Sequence, residues 1–156
     1  MPKKVRSKAV KSGGGHFAIV ASRYNAPYVD AMLEAAKTFL SKSGAGEVQI
    51  VRVPGAFEIP VVAARIAQRN WPRPSAIICL GVILRGETTH AQHIGEAVSQ
   101  ALAQIQVQHH VPIIHEVLLL ENEQQARVRC LSKDHNRGAE AAQTALEMAR
   151  VMKKLP

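Results

Sequence analysis

A histidine and a threonine that follow a long apolar run are the residues best suited to chemistry. The run spans residues 75–84 and is followed by Gly86, Glu87, Thr88 and His90. Glycine lets the backbone turn, and free N–H groups at the start of a helix bind anions. The N–H groups of Glu87 and Thr88, with the Thr88 hydroxyl, therefore predict a phosphate site. The imidazole of His90 can move protons near neutral pH, although a histidine here also fits a capping or surface role.

Two other apolar runs also end in residues that suit a ligand. In the segment VPGAFEIP, residues 53–60, Phe57 offers an apolar wall. Glu58 can accept hydrogen bonds from ligand hydroxyls, or it can simply stabilise a helix start through its charge. Tyr24 can stack on a flat ring or be an ordinary loop aromatic. Asn25 fits a ligand pocket or a helix N-cap.

An arginine completes the set, and a metal is not needed. Arg129 lies about two helical turns beyond the fourth apolar run, where it can clamp a phosphate or be an ordinary surface residue. His93 lies one turn after His90, but the sequence shows no third ligand nearby, so we predict no metal. None of these groups calls for a cofactor, and we predict none.

Apolar runs alternate with helical patterns along the chain. Strands are predicted at 17–20, 48–53, 75–84 and 112–120, the third of them central. Helices are predicted at 26–43, 58–68, 90–109, after residues 121–122, and at 139–153 with Gly138 preceding the last one. This order predicts an α/β fold with a parallel sheet and helices on both faces. Ligands bind outside the carboxyl ends of such strands, which brings the candidate residues to one edge.

Charge and cysteine content limit the class of protein. The 156 residues suit one domain, and five of the basic residues behind the net charge of +8 fall within 1–11. Residues 1–15 are therefore predicted to be a disordered basic arm, with a nucleic-acid or localisation patch as the alternative, and 16–156 the folded domain. Two distant cysteines suit a reducing compartment. Without a secretory signal or a membrane-length apolar run, a cytoplasmic address is expected, with a cleaved organellar presequence as the alternative.

Residues 16–153 as a whole resemble the lumazine synthase family. The segments that carry the resemblance are Arg23-Tyr24-Asn25, VPGAFEIP (53–60), LGVILRGETTH (80–90), the stretch from Glu123 to Arg129, Asn136-Arg137-Gly138 and ALEM (145–148). VPGAFE and RGxTxH, in this order and spacing, are highly specific motifs.

The resemblance implies a fold, a reaction and a set of roles. It implies a flavodoxin-like three-layer αβα sandwich with a four-stranded parallel sheet. It also implies that two small-molecule substrates, 5-amino-6-(D-ribitylamino)uracil and 3,4-dihydroxy-2-butanone 4-phosphate, condense to 6,7-dimethyl-8-ribityllumazine in the penultimate step of riboflavin biosynthesis. The pyrimidine and its ribityl chain would be bound by Tyr24, Asn25, Ala56, Phe57, Glu58, Ile83 and His115. Phosphate would be bound by Glu87, Thr88 and Arg129, while His90 shuttles protons.

Assembly is also implied by the resemblance. The family's site lies between neighbours in a pentamer, with Arg129 and residue 115 supplied by the adjacent subunit. A homo-oligomer built from pentamers is expected, and a monomer should be inactive.

Several positions depart from the family pattern. His115 stands where an aromatic residue, usually phenylalanine, covers the pyrimidine, and binding is therefore expected to vary with pH. Leu119-Leu120 replace a Thr-Thr pair, Ala91 replaces an aromatic residue, and Asp134-His135 replace an Ala-Gly pair. The pattern offers no partner for Glu116.

Other functions compete with this enzyme. A non-catalytic binder of lumazine or flavin would keep Tyr24 and Phe57 but need not keep both His90 and Arg129. A flavodoxin-like electron carrier is less favoured, because residues 22–25 lack a Ser/Thr-Gly phosphate loop. An assembly that binds nucleic acid through its basic arms is compatible with catalysis.

Overall fold

A four-stranded sheet forms the centre of the computed structural model, which describes residues 2–4 and 14–156. The strands are β1 (His16–Ser22), β2 (Glu47–Val53), β3 (Ala76–Leu84) and β4 (Ile113–Leu120). The α-helices are α1 (Ala26–Lys42), α2 (Ile59–Ala67), α3 (His90–His109), α4 (Glu123–Ala126) and α5 (Arg137–Lys154). A 3-10 turn (Ala56–Glu58) precedes α2, and a π-helical segment (Arg127–Leu131) follows α4.

All neighbouring strands are parallel and lie in the order β2-β1-β3-β4. Helices α1 and α5 pack on one face of the sheet, and α2 and α3 pack on the other. The predicted flavodoxin-like αβα sandwich is therefore confirmed. Because the strands run in one direction, their carboxyl ends meet at a single edge, where ligands bind in such folds.

Strand β3 supplies side chains to both apolar layers. Ile78 and Leu80 pack with α1 and α5, while Ile77 and Cys79 pack with α2 and α3. The strand is buried from Ala76 to Ile83, because helices cover both of its faces. The continuous apolar run thus marks the interior of the sheet, as predicted.

The prediction that Gly138 precedes the last helix is wrong. The element boundaries agree with the predictions within two residues, but Gly138 lies inside the first turn of α5. Asn136 is the N-cap, and its side-chain oxygen accepts a hydrogen bond from the Gly138 N–H at 2.8 Å. A side chain at position 138 would overlap the backbone carbonyl of Met32 in α1. The glycine therefore allows α1 and α5 to pack closely.

The predicted basic arm falls largely outside the described residues, which omit residues 5–13. Its disorder stays a prediction. Lys4 Nζ lies 3.9 Å from Asp134 Oδ2, and both side chains are exposed. Such an exposed pair contributes little to stability.

Candidate active site

A cavity of about 730 Å³ opens at the carboxyl edge of the sheet. It is lined by eight of the residues singled out from the sequence, namely Tyr24, Asn25, Ala56, Phe57, Glu58, Ile83, Thr88 and His90. They come from three separate strand ends, which the parallel sheet brings together. Glu87, His115 and Arg129 are not among its lining residues.

Asn25 ties the end of β1 to β3. Its backbone is left-handed, with a φ of 59°, a conformation that asparagine tolerates better than most residues. It occupies the N-cap position of α1 but makes no side-chain cap; instead its Nδ2 donates to the Val82 carbonyl at 2.7 Å. The N-cap alternative is therefore wrong as far as the side chain is concerned. This bond fixes the loop that carries Tyr24.

The turn after β2 forms a mixed apolar and acidic wall. The Glu58 N–H donates to the Gly55 carbonyl at 3.2 Å, which closes the 3-10 turn. Phe57 is 63% exposed and Tyr24 is 73% exposed. Two such aromatic side chains at a cavity mouth offer flat apolar surface to a ring, and the Glu58 carboxylate offers hydrogen-bond acceptors to hydroxyl groups.

The third strand end supplies the anion-binding and proton-carrying groups. Helix α3 begins at His90, and the Thr88 hydroxyl accepts a hydrogen bond from the His90 N–H at 3.4 Å. Glu87, Thr88 and His90 are all exposed, so these groups are open to a ligand. A helix N-terminus of this kind favours an anion.

His93 lies one turn after His90 on α3. Its Nε2 lies 3.3 Å from the Thr89 hydroxyl oxygen. Throughout residues 2–4 and 14–156, no cluster of three or more His, Cys, Asp or Glu side chains is arranged to hold a metal ion. No helix in the same ranges has the length and apolarity needed to cross a bilayer.

Two predicted ligand-binding residues lie away from this cavity within the chain. His115 is exposed on β4, one of the two edge strands, where its Nε2 is 2.7 Å from Ser99 Oγ. Arg129 is half-buried in the π-helical segment. That segment follows α4, which Asn122 caps by accepting a hydrogen bond from the Gln125 N–H at 2.9 Å. Single-turn π-helices of this kind are often found near functional sites.

Glu116 is a titratable group whose surroundings the sequence did not reveal. The pKa of its carboxyl is raised to about 7, first by burial and then by the charge of Glu140, while the charges of Arg137 and Arg129 act in the opposite direction. Alternation along β4 places it on the opposite face from His115, next to α5. This alternation could have indicated from the sequence that Glu116 faces α5, but it does not identify the charged residues around the carboxyl.

Glu116 is expected to make stability depend on pH. Because its pKa is raised in the folded chain, its favourable effect is complete below about pH 4.5 and is lost as pH rises through about 7. Glu116→Gln, which mimics the neutral form, should therefore be more stable than the parent by about 1 to 2 kcal/mol at pH 8 and by much less at pH 5. Urea unfolding at both pH values measures this. Glu123→Gln, at an exposed site on α4, is the control, and equal gains at both pH values would contradict the assignment.

Comparison with known proteins points to one family. The family model for 6,7-dimethyl-8-ribityllumazine synthase matches residues 14–153. A 6,7-dimethyl-8-ribityllumazine synthase from Xanthomonas oryzae pv. oryzae (strain PXO99A) is 40% identical over 142 residues, covering 90% of this chain and 91% of the relative. A relative of the same name from Xylella fastidiosa (strain 9a5c) is 39% identical over 149 residues, covering 94% and 96%. The cavity, its strand-end residues and these matches agree, and the chain belongs to the 6,7-dimethyl-8-ribityllumazine synthase family of riboflavin-biosynthesis enzymes.

Proposed function

We propose that the chain condenses 5-amino-6-(D-ribitylamino)uracil with 3,4-dihydroxy-2-butanone 4-phosphate, giving 6,7-dimethyl-8-ribityllumazine, phosphate and water. This is the penultimate step of riboflavin biosynthesis, and we place it in the cytoplasm. An amine attacks the ketone, an imine forms, phosphate leaves and the second ring closes. The observation that carries the proposal is the single cavity that joins exposed aromatic side chains to Thr88 and His90.

The cavity divides into two ends with different chemistry. At one end, Tyr24 stacks on the pyrimidine, Ile83 contacts it through its backbone, and Asn25 shapes the loop around it. The ribityl chain is held by the 3-10 turn formed by Ala56, Phe57 and Glu58. At the other end, phosphate is bound by the N–H group of Thr88 and by that of Glu87, which precedes it outside the lining, and His90 moves protons.

The remaining two groups come from a neighbouring copy in this proposal. Arg129 binds the phosphate and His115 covers the pyrimidine, each from the adjacent subunit of a pentamer. Two observations support this arrangement: both residues lie away from the cavity lining of their own chain, and Tyr24 and Phe57 are exposed at its mouth. The chemistry requires neither a metal nor a cofactor, since the enzyme mainly aligns two reactive partners.

Lumazine formation, followed by absorbance with both substrates, tests the reaction. Protein that assembles and binds the pyrimidine but forms no lumazine would overturn the proposal and leave a binding protein. Light scattering on the same sample measures whether the chain forms pentamers or a larger assembly.

Subunit mixing tests whether the site is shared. His90→Ala and Arg129→Ala should each be poorly active alone. Co-expressed in equal amounts, they should recover about one quarter of parental activity, because a random neighbour pair supplies both intact groups at one site in four. Co-assembled protein that stays as inactive as the single variants would contradict a site between subunits. His93→Ala mixed with Arg129→Ala is the matched control.

A further inference from the structure

Strand β4, at one edge of the sheet, carries a backbone N–H at Val117 that points away from β3. Along β4, the carbonyl oxygens of Pro112 and Leu120 accept hydrogen bonds from the N–H groups of Ile77 and Arg85 at 2.9 and 2.8 Å. Residues of even number therefore point their backbone groups toward β3, and those of odd number point away from it. Within the described part of the chain, β4 has no strand on its other side, so the Val117 N–H lies on the open edge of the sheet.

The side chain of His115 accepts a hydrogen bond from this N–H. Its Nδ1 accepts a hydrogen bond from the Val117 N–H at 3.1 Å, and its Nε2 is 2.7 Å from Ser99 Oγ on α3. A ring nitrogen that accepts a hydrogen bond carries no proton, so the proton of the neutral ring is on Nε2, which donates to Ser99. Contacts at both nitrogens fix the plane of the ring, and the side chain remains exposed.

We propose that Ser99 is a positioning residue that holds His115 against the Val117 N–H as a neutral, Nε2-protonated ring, so that its free face covers the pyrimidine in the neighbouring copy's site. Only the statement that the ring covers the pyrimidine rests on the proposed function. Ser99 acts through orientation: without it, the ring can turn away from Val117, and Nδ1 becomes free to take a proton.

The charged groups around the ring are compatible with a neutral imidazole. Cys79, its partner in register on β3, is uncharged because burial raises the pKa of the thiol to about 12. Glu96 and Arg85 line the adjacent groove, where they have opposite charges. Desolvation lowers the pKa of His115. Protonation would also leave the Val117 N–H without this acceptor.

Nitrogen NMR tests the position of the proton without using any substrate. Solid-state ¹⁵N spectra of assembled protein labelled at histidine, with His115→Phe identifying the signal, should show a neutral Nε2-protonated ring at pH 7.5. Ser99→Ala should show mixed tautomers and a higher pKa for this ring, while Ser99→Thr, which keeps the hydroxyl, should resemble the parent. Gln104→Ala, at an exposed site on the same helix, is the control. An Nδ1-protonated or charged ring in the parent would overturn the proposal.

The dependence of KM on pH tests what the ring does. If only the neutral ring covers the pyrimidine, a freed imidazole with a pKa near 6.5 should raise the KM of Ser99→Ala for the pyrimidine by up to about tenfold between pH 8 and pH 5.5, relative to the parent. The ratio of kcat for Ser99→Ala to kcat for the parent should stay constant between pH 8 and pH 5.5. The Ser99→Ala/His115→Phe double variant should match His115→Phe at every pH. Identical KM profiles for Ser99→Ala and the parent would overturn the proposal.

The two measurements separate this inference from the reaction on which it rests. Protein that shows the Ser99-dependent neutral ring but makes no lumazine would overturn the proposed function and not the Ser99–His115 contact. Protein that makes lumazine without a Ser99-dependent ring state would overturn this inference alone.

Discussion

His90→Ala is expected to lower kcat for lumazine formation by about 10²- to 10⁴-fold, the range typical for loss of a general acid–base group. His90 is exposed at the first residue of α3, where its backbone N–H donates to the Thr88 hydroxyl, and it lines the same cavity as Tyr24. The aromatic wall is unchanged in the variant, so KM for the pyrimidine should change much less than kcat. Steady-state rates with the pyrimidine varied at saturating butanone phosphate measure both constants.

His93→Ala is the matched control for this experiment. His93 lies one turn further along α3 and contacts the Thr89 hydroxyl, away from the cavity lining. Its loss should change kcat by less than about threefold, because no proton transfer passes through it. Equal effects of the two substitutions, or a loss below tenfold for His90→Ala, would mean that alignment of the substrates provides nearly all of the rate enhancement.

Gly138→Ala is expected to destabilise the folded chain by about 3 kcal/mol or more, at the upper end for an overpacked site. The added carbon would overlap the backbone carbonyl of Met32, and a helix backbone cannot move aside as a flexible side chain can. Met32 is itself fully buried, so α1 and α5 would have to separate to admit even one methyl group. Thermal melting and urea unfolding at one protein concentration measure the loss.

Gly95→Ala is the control for Gly138→Ala, and its expected effect on stability has the opposite sign. Gly95 lies inside α3, and a carbon added there would meet only the Leu119 side chain, at 3.5 Å, an ordinary contact distance. Alanine is favoured over glycine in a helix interior by about 1 kcal/mol, so this variant should be as stable as the parent or slightly more stable. Similar losses in both variants would contradict the close approach of α1 to α5 at Gly138.

The strands of the sheet could be predicted from the sequence because burial determines where their apolar residues fall. The apolar run from Ala76 to Ile83 is long enough, and rich enough in β-branched residues, to mark an interior strand. Parallel connections then bring the strand ends to one edge, so Tyr24, Phe57 and His90 could be placed near one another before any side chain was located.

The contacts that the sequence did not predict join residues far apart in the chain. Ser99 and His115 lie on different elements, and no local spacing reports the orientation of an imidazole. The raised pKa of Glu116 depends on burial and then on charged groups of α5 and the π-helical segment, whose approach to β4 is a property of packing. Gly138 was predicted to precede the last helix because glycine is unfavourable inside one, whereas here it allows a close contact between two helices.

The hydrogen bond at the edge of β4 also bears on whether copies of the chain can add strands to one another. A bare N–H on an outermost strand can template the addition of a strand from another chain, which is a common route to aggregates. His115 supplies an acceptor for that donor from within the same strand, so an incoming strand has one hydrogen bond fewer to gain there. A phenylalanine at position 115 would leave the donor open. The imidazole therefore makes this edge of the sheet a poorer template for strand addition between copies of the chain.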